Sequence, residues 1–377
     1  MRLVIESDSI ATAKMSGVGH LTLGLLRQFN VLAEKDKSFK VVAIVPFGKK
    51  ELAKNYGLSN IKIKSLPPGY RYVNYALTRL PALFPVDLLY GKGVYLFPNY
   101  KNWPVAFSKS ITMVHDVAYK KFPDTLNQKN LAYLSMNMPR WLHRTDAILT
   151  ISKSSAMDIA VYFPQDKHKI STAYVGIDND LYHPRKPKEY LVEIEKAGLP
   201  KKYILFVGNI EPRKNIVKLI EAYAQLSIAL RREYALVIIG ADGWKNEKIV
   251  AAINRATADG MNIIRPKAFV PDNVMPYVYN GAAVLVHTAF YEGFGMPLLE
   301  ALASGTPVLC GNNSSLPEVV GEDALFFNET DASDIAKKIG IVLSDSNLSS
   351  KMISTGLVRA KKFSWKLMAE QVIAAGR

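Results

Sequence analysis

Two glutamates flank a glycine-rich turn in the segment "EGFGMPLLE", where Glu292 and Glu300 stand eight positions apart (300 − 292 = 8). The apolar run "AVLVHT" precedes the turn, which contains Gly293 and Gly295, and Pro297 then opens a helix-period segment, since proline is favoured in the first turn of a helix. Glycines let backbone N–H groups approach a ligand closely. A carboxylate one turn into the helix suits the paired hydroxyls of a ribose better than a phosphate. The segment predicts that Glu300 meets a ribose and that Glu292 meets another part of the same ligand.

A basic pair follows a second apolar strand in the segment "FVGNIEPRKN". The strand turns at Gly208 and delivers Arg213 and Lys214 just before the helix-period segment "NIVKLIEAY". The start of a helix offers unpaired N–H groups and the positive end of its dipole, both of which favour a phosphate. An arginine fork and a lysine charge at that position suit a diphosphate. The alternative is a surface turn whose two cations are solvated.

Two smaller patterns near the ends of early strands leave alternatives open. His115 follows the apolar run "SITMV" and precedes Asp116, so it is a buried imidazole, a ligand contact, or half of a metal site. Two ligands without a third nearby are poor grounds for a metal. Gly17 and Gly19, in "SGVGH" after the first strand, form a plain turn or a loop that approaches a ligand.

An Asp-x-Asp spacing occurs in "DND", between Asp178 and Asp180. This spacing can hold Mn²⁺ or Mg²⁺ in metal-dependent enzymes, since both ions prefer carboxylate oxygens. Here the residues fall in "GIDNDLYHP", where aspartates commonly serve turns and caps. We therefore predict that no metal and no other cofactor is required.

The composition is that of a globular protein with large cores. The chain has 377 residues, of which 49% are hydrophobic and 21% are charged, so two or three domains are expected. One cysteine, Cys310, cannot form an internal disulfide, which is typical of a reducing compartment. No apolar run reaches the roughly 18–20 residues that span a bilayer, and no signal peptide is visible. We expect a cytoplasmic protein.

The net charge of +15 concerns partners rather than fold. The stretch from Leu88 to Phe122 combines basic and aromatic residues, a composition that suits anionic headgroups. Its lysines and aromatics are Lys92, Lys101, Lys109, Lys120, Lys121, Tyr90, Tyr95, Phe97, Tyr100, Trp103 and Phe107, against a single acid, Asp116. This composition predicts a peripheral site on the inner face of the cytoplasmic membrane, and the alternative is a solvated face with a few core aromatics. Nucleic acid is a third possible partner of so basic a chain, but no reader motif supports it.

Short β-branched runs alternate with amphipathic segments along the whole chain, which predicts an α/β protein with parallel sheets. Nine strands are predicted: "RLVIES", "KVVAIVP", "SITMVHD", "AILTIS", "YILFVGN", "ALVIIG", "NIIRPKAFV", "AVLVHT" and "PVLCG". The proline- and charge-rich segment 176–203 predicts a domain boundary. We place one doubly wound domain at residues 1–186 and a second at 187–361, with a helix at about 362–377 that packs back on the first.

These motifs together resemble the retaining glycosyltransferases of family 4. The resemblance rests on "EGFGMPLLE", on "GNIEPRKN", and on "AFVPDNVMPYVYNGAAVLVHTAFYEGFG", and it extends to "SGVGH", "VHD", "GIDNDLYHP" and "FSWKLMAEQV". It implies the GT-B fold, in which two Rossmann-like domains face each other across a cleft that holds a nucleotide-diphosphate sugar. It also implies transfer with retention, without a metal.

The resemblance assigns roles to particular positions. Arg213 and Lys214 would hold the diphosphate, Glu292 the donor sugar and Glu300 the ribose, while His115 would contact a sugar hydroxyl and Asp116 would have a minor role. Further donor-binding positions are Gly17, Gly19, Gly208, Ala268, Phe269, Val270, Gly293, Phe294, Gly295, Met296 and Leu299.

The function predicted from sequence is a hexosyltransferase acting on a glycan or lipid-linked acceptor in bacterial cell-surface polysaccharide biosynthesis. The segments "EPRKN" and "EGFG" and the pair "HD" resemble those of bacterial polysaccharide mannosyltransferases, a resemblance that favours GDP-mannose as the donor and leaves glucose, N-acetylglucosamine and rhamnose donors open. A nucleotide-sugar epimerase or a phosphorylase of the same fold is the alternative, because a fold does not fix a function. A basic nucleic-acid-binding protein is the third hypothesis.

Overall fold

The computed structural model describes residues 1–12, 15–69, 85–266, 270–322 and 324–377. These residues form two compact units. The first unit comprises Met1–Lys120, Leu131–Gly176 and Ser364–Arg377, and the second comprises Lys121–Asn130 and Ile177–Phe363. The boundary predicted after residue 186 falls inside the second unit, and the carboxyl-terminal helix belongs to the first.

The first unit is built on a seven-stranded sheet in which every pairing is parallel. Its strands are β1 (Arg2–Glu6), β2 (Lys40–Val45), β3 (Ile61–Ser65), β4 (Val94–Phe97), β5 (Lys109–Val114), β6 (Ala147–Thr150) and β7 (Ile170–Thr172). The strand order is β3-β2-β1-β4-β5-β6-β7, so the direction of winding reverses between β1 and β4. This is the doubly wound arrangement, which places ligand sites beyond the carboxyl ends of the strands.

Helices connect the strands of the first unit. They are α1 (Gly17–Lys35), α2 (Lys50–Lys54), α3 (Val86–Tyr90), α4 (Ala118–Lys121), α5 (Gln128–Arg144), α6 (Lys153–Tyr162) and the carboxyl-terminal α16 (Trp365–Ala375). The ends of α4 and α5 lie in the 121–130 segment that belongs to the second unit. Trp365 packs so closely on Gly24 and Gly176 that a Cβ on either glycine would come within 2.4 Å or less of it. The two glycines therefore let α16 lie against α1 and the segment after β7.

The second unit holds a six-stranded parallel sheet in the order β10-β9-β8-β11-β12-β13. Its strands are β8 (Tyr203–Val207), β9 (Ala235–Ile239), β10 (Ile263–Ile264), β11 (Val284–His287), β12 (Val308–Gly311) and β13 (Phe326–Phe327). Its helices are α7 (Pro187–Lys196), α8 (Ile216–Gln225), α9 (Ile228–Glu233), α10 (Glu247–Ala258), α11 (Met275–Gly281), α12 (Met296–Ser304), α13 (Leu316–Val320), α14 (Ala332–Ser344) and α15 (Ser346–Ala360).

The order of the second sheet decides which of its strand-end turns lie side by side. Strands β8 and β11 are neighbours, and the winding reverses between them. The turn after β8 carries the basic pair and the turn after β11 carries the first glutamate. Because parallel strands end at the same edge of a sheet, these two turns lie side by side at the switch point, where doubly wound sheets bind their ligands.

The aromatic residues of the basic–aromatic stretch divide between core and surface. Tyr90, Tyr95, Phe97 and Trp103 belong to a buried cluster on one face of the first sheet, whereas Phe107 is exposed. The core interpretation therefore holds for most of the aromatics. Within the described ranges, each helix is too short or too polar to cross a bilayer.

Candidate active site

The turn after β8 presents the basic pair in a fixed geometry. A single 3₁₀ turn, Pro212–Lys214, follows Glu211, and Asn215 adopts a left-handed conformation (φ 54°) immediately before α8 begins. The backbone N–H of Phe290 donates to the carbonyl of Arg213 over 3.0 Å, and the hydroxyl of Thr288 donates to the carbonyl of Lys214 over 2.9 Å. The basic turn is thus attached to the segment that follows β11.

The turn after β11 is fixed in the same way. The backbone N–H of Glu292 donates to Oγ of Ser314 over 3.0 Å, and Oγ of Ser315 donates to the carbonyl of Glu292 over 2.9 Å. Gly295 has φ 98° at the start of α12, a conformation that a residue with a Cβ adopts only under strain. These constraints aim the Glu292 side chain at the basic turn.

The carboxylate of Glu292 accepts from three cationic or imidazole donors. Nζ of Lys214 donates to Oε1, and Nη1 of Arg213 donates to Oε2 over 3.1 Å. Nε2 of His287 lies 2.9 Å from Oε1. The other fork of Arg213 reaches Glu211, where Nη2 donates to Oε1 over 2.8 Å. Two cations and two carboxylates therefore form one buried network.

Electrostatics fix the charge states of this network. Burial lowers the pKa of Lys214, and the neighbouring Arg213 charge adds to this effect against the attraction of Glu292. Burial alone would raise the pKa of Glu292, but the charges of Lys214 and Arg213 outweigh it and hold that pKa well below its usual range. Glu292 is therefore an anion at neutral pH, matched to the two cations.

His287 is the neutral member of the network. Its side chain is fully buried at the end of β11, stacked on Phe206 with ring centroids 6.1 Å apart. Burial lowers the pKa of the imidazole despite the hydrogen bond to Glu292. The Nε2–H tautomer donates to Glu292, and Nδ1 has no hydrogen-bond partner among the described residues.

Glu300 lies in α12 in a separate hydrogen-bonded group. The hydroxyl of Tyr279 donates to its Oε2 over 2.7 Å, and Tyr182 also hydrogen-bonds to the carboxyl. The rings of Tyr182 and Tyr279 meet edge to face, 6.0 Å between centroids. Burial raises the pKa of Glu300 to about 7, and the nearby Asp272 charge acts in the same direction. The carboxyl therefore titrates near neutral pH.

The first unit holds the predicted residues around His115. Nε2 of this buried imidazole lies 2.7 Å from the carbonyl of Pro98, and its ring meets Tyr100 edge to face. Burial lowers its pKa, so the ring is neutral. The carboxylate of Asp116 accepts from the backbone N–H of Ala118 at the start of α4. The roles predicted for both residues stay predictions.

The predicted glycines and apolar positions lie at the start of α1, after β8, before α11 and around the turn after β11. Gly17 and Gly19 form the first turn of α1, and a Cβ on Gly19 would come 2.8 Å from the carbonyl of Ser9, so this glycine permits a close approach to the loop after β1. Gly208 ends β8. The buried positions around the second turn and before α11 are Val270, Gly293, Phe294, Gly295 and Leu299, while Met296 is half-buried. Ala268 and Phe269 lie outside the described residues.

Sequence reasoning brought Arg213, Lys214 and Glu292 into one site, and the structure unites them. It missed Glu211, His287, Tyr182 and Tyr279. The signal for His287 was a polar residue ending the otherwise aliphatic run "AVLVHT". The two tyrosines had no local signal, because their partner Glu300 is remote in sequence.

The Asp-x-Asp segment serves a turn. Oδ1 of Asp178 accepts from the backbone N–H groups of Asp180 and Leu181 over 3.1 and 3.2 Å, which confirms the predicted turn chemistry. In the part of the chain that the structure describes, no three histidine, cysteine or acidic side chains are grouped as a metal site. The metal independence of the reaction stays a prediction.

The sequence is similar to those of known proteins. The family model described as "Glycosyl transferases group 1" matches residues 188–358. O-antigen chain mannosyltransferase B of Escherichia coli is 35% identical over 283 residues, which cover 75% of this chain and 73% of that protein. Serotype-specific mannosyltransferase WbdA of Escherichia coli is 29% identical over 269 residues, and the match covers 70% of this chain but only 33% of that longer protein.

A solved structure shares the architecture. HepE of Anabaena, in complex with UDP and glucose, superposes with a TM-score of 0.73 at 15% identity, covering 99% of this chain and 98% of that one. At this identity the likeness concerns the fold alone. It confirms the predicted fold class, GT-B with two parallel-sheet units.

Proposed function

We propose that this chain, which belongs to the glycosyl transferases group 1 family, transfers mannose from GDP-mannose to a glycan or lipid-linked acceptor in cell-surface polysaccharide biosynthesis. The name of its 35% identical relative, an O-antigen chain mannosyltransferase, supports the sugar and the pathway class. The observation that carries the proposal is the buried group of Arg213, Lys214 and Glu292 at the switch point of the second sheet.

The donor would bind along the second unit in three parts. Arg213 and Lys214 supply the charged N–H donors that a diphosphate needs. Glu300 is half-buried in α12, as expected for a residue that accepts from ribose hydroxyls. Glu292 accepts from both members of the basic pair, and we assign it to the transferred sugar.

The difficult step is departure of the nucleoside diphosphate from the anomeric carbon. Negative charge grows on the leaving phosphate, and Arg213 and Lys214 stabilise it from fixed positions, an effect that is typically worth about 3–4 kcal/mol per donor. We propose that the acceptor hydroxyl attacks from the same face, so that the configuration is retained, and that its proton passes to the leaving phosphate. No metal takes part in this scheme.

A donor screen tests the proposed function. Purified protein is incubated with UDP-, GDP- and dTDP-sugars, with and without short glycan acceptors, and release of nucleoside diphosphate is measured. We expect GDP-mannose to be consumed fastest and the acceptor to raise the rate. Turnover of another donor alone would replace the mannose assignment. Donor consumption that yields an isomeric nucleotide sugar without acceptor would indicate an epimerase instead.

We further propose that the first unit docks on anionic lipid. Helix α3 exposes Leu88 (65%) and Leu89 (56%), and Phe107 is 62% exposed with Nζ of Lys92 5.5 Å from its ring centroid. Apolar side chains beside a lysine suit the headgroup region of an anionic bilayer. This surface would bring the enzyme to a lipid-linked acceptor.

Liposome co-sedimentation tests the docking. Binding should increase with the fraction of anionic lipid, and the double variant Leu88→Ser/Leu89→Ser should bind less. Val161→Ser serves as the matched control, because Val161 is 74% exposed on a different helix of the same unit, α6. Binding that ignores lipid charge, or that falls equally in the control, would refute the docking proposal.

A further inference from the structure

The diphosphate-binding donors of the proposed site are already occupied by protein acceptors. Lys214 donates to Oε1 of Glu292, and Arg213 donates to Oε2 of Glu292 and to Glu211. The formal charges cancel, with two cations against two carboxylates. An incoming diphosphate needs the same N–H groups, so it must compete with a carboxylate that is fixed in place.

Glu292 is the acceptor that can be exchanged. Glu292 accepts from both cations, whereas Glu211 pairs with Nη2 of Arg213. Release of Glu292 therefore frees N–H groups on both Arg213 and Lys214. A diphosphate carries more negative charge than one carboxylate and offers more oxygens to an arginine fork and a lysine. The exchange therefore favours a diphosphate over a ligand with a single negative charge.

A released carboxylate in a buried position needs a remaining donor, because an unpaired buried charge is strongly destabilising. His287 provides one: its Nε2–H lies 2.9 Å from Oε1 of Glu292 and does not compete for a diphosphate. The imidazole is fully buried and stacked on Phe206, so it stays in position when the two cations donate to the diphosphate and no longer to Glu292.

We propose that Glu292 is an internal counter-ion that donor binding exchanges for the diphosphate, and that His287 is the positioning residue that holds the released carboxylate beside the sugar. The proposal rests on the proposed function, since it assumes a diphosphate ligand at Arg213 and Lys214. It assigns to His287 a role in donor binding that acts through Glu292, without contact to the donor.

Binding of inorganic pyrophosphate, measured by isothermal titration calorimetry, tests the exchange without turnover. In Glu292→Gln the competing charge is absent and the side-chain shape is kept. We expect pyrophosphate to bind at least about tenfold more tightly than to the wild-type protein, a gain of about 1.4 kcal/mol. Equal or weaker binding by this variant, or no pyrophosphate binding by either protein, would overturn the proposal.

A double-mutant cycle isolates His287. His287→Phe keeps a ring that can stack on Phe206 but removes the donor, so the released carboxylate would be left unpaired. We expect it to weaken pyrophosphate binding by about tenfold, again about 1.4 kcal/mol, whereas His287→Gln retains a donor and recovers most of the affinity. In the Glu292→Gln background, His287→Phe should change the affinity less than about twofold. In that background the carboxylate through which His287 acts is already absent, so the two substitutions are coupled and their effects do not add.

The cycle distinguishes positioning from structural support. If His287 merely supported the fold, the loss in His287→Phe would appear equally in both backgrounds, and His287→Gln would not recover it. The His287 pair of variants also tests the exchange if Glu292→Gln fails to fold. Failure of the donor screen together with a positive cycle would refute the proposed reaction but keep the exchange, and the reverse result would refute the exchange alone.

Discussion

The hydroxyl of Tyr279 donates to Oε2 of Glu300 over 2.7 Å, in a group that also contains Tyr182. Burial raises the pKa of Glu300 to about 7, and Asp272 adds to the rise, while the hydrogen bonds of the two tyrosines oppose it. The carboxyl proposed for the ribose is therefore half-ionised near neutral pH. Since a carboxylate accepts hydrogen bonds from hydroxyls more strongly than a carboxylic acid does, its ionisation should control donor binding.

The first prediction concerns the pH dependence of the donor KM. Glu300 is neutral below pH 7 and ionised above it, so the KM for the donor should fall as the pH rises from 6 to 8. Glu300→Gln should remove this dependence, and Tyr279→Phe should move its midpoint upwards because it removes a hydrogen bond that lowers the pKa. An unchanged slope in Glu300→Gln would show that another group is responsible.

The same titration predicts an effect on folding stability. The folded-state pKa of Glu300 lies above its value of 4.5 in the unfolded chain, so the folded state binds the proton more tightly. Its contribution to the free energy of unfolding should therefore be largest below pH 4.5 and decrease as the pH rises to about 7. Denaturant unfolding of the wild-type protein and Glu300→Gln at pH 5 and pH 8 measures the difference. We expect the free energy of unfolding of the wild type, relative to that of Glu300→Gln, to be higher at pH 5 than at pH 8. A relative value that is lower at pH 5 than at pH 8 would contradict the prediction.

The third prediction concerns Lys214. Lys214→Ala removes a buried, fixed cation beside the proposed leaving phosphate, and kcat should fall by about 10²- to 10³-fold. Lys218→Ala is the matched control, because Lys218 lies one helical turn later and pairs with Glu221 at the surface. The control should retain activity within about twofold, as expected for an exposed ion pair. A loss of only a few-fold in Lys214→Ala would remove this lysine from the phosphate site.

Much of the fold could be predicted because strand–helix alternation is a local signal. All nine predicted strands occur, and "NIIRPKAFV" contains β10 at Ile263–Ile264. Four strands in the described ranges were not predicted, and of these β7 has three residues and β13 has two, too few for a periodicity to show. Strand β4, "VYLF", lies in the stretch interpreted as a basic–aromatic surface, although it pairs with β1 and β5 in the middle of the sheet.

The basic pair and the two glutamates of the site could be predicted, but their contacts could not. Strand–turn–helix patterns identify Arg213, Lys214 and Glu292 one at a time. The contact between Lys214 and Glu292 joins residues 78 positions apart, and only the pairing of β8 with β11 brings them together. A sequence pattern does not specify which strands pair, so the cancellation of charge between these residues became visible only in the structure.

The fourth prediction concerns metal removal. The aspartate of "DND" uses its carboxylate in a turn, and the proposed chemistry relies on Arg213 and Lys214 for charge stabilisation. Transfer measured in an excess of EDTA over trace metal should therefore proceed at the untreated rate, because in this scheme fixed cations do the work of a metal ion at the phosphates. Loss of activity in EDTA that Mn²⁺ or Mg²⁺ restores would contradict the prediction and would require a metal bound with the donor.

The fifth prediction concerns two glycines whose substitution should have opposite effects. A Cβ on Gly176 would lie 2.2 Å from the backbone nitrogen of Trp365, so α16 or the segment at residue 176 must shift in Gly176→Ala. Overpacking of this kind costs about 1–3 kcal/mol, so the thermal transition of that unit should occur at a lower temperature. Gly340 lies inside α14, where a Cβ would meet no atom within 4 Å. Gly340→Ala should stabilise the second unit by about 0.5–1 kcal/mol, because alanine loses less backbone entropy than glycine in a helix. Calorimetric unfolding of both variants measures the two shifts, and a Gly176→Ala protein as stable as the wild type would mean that α16 can adjust its position at little cost.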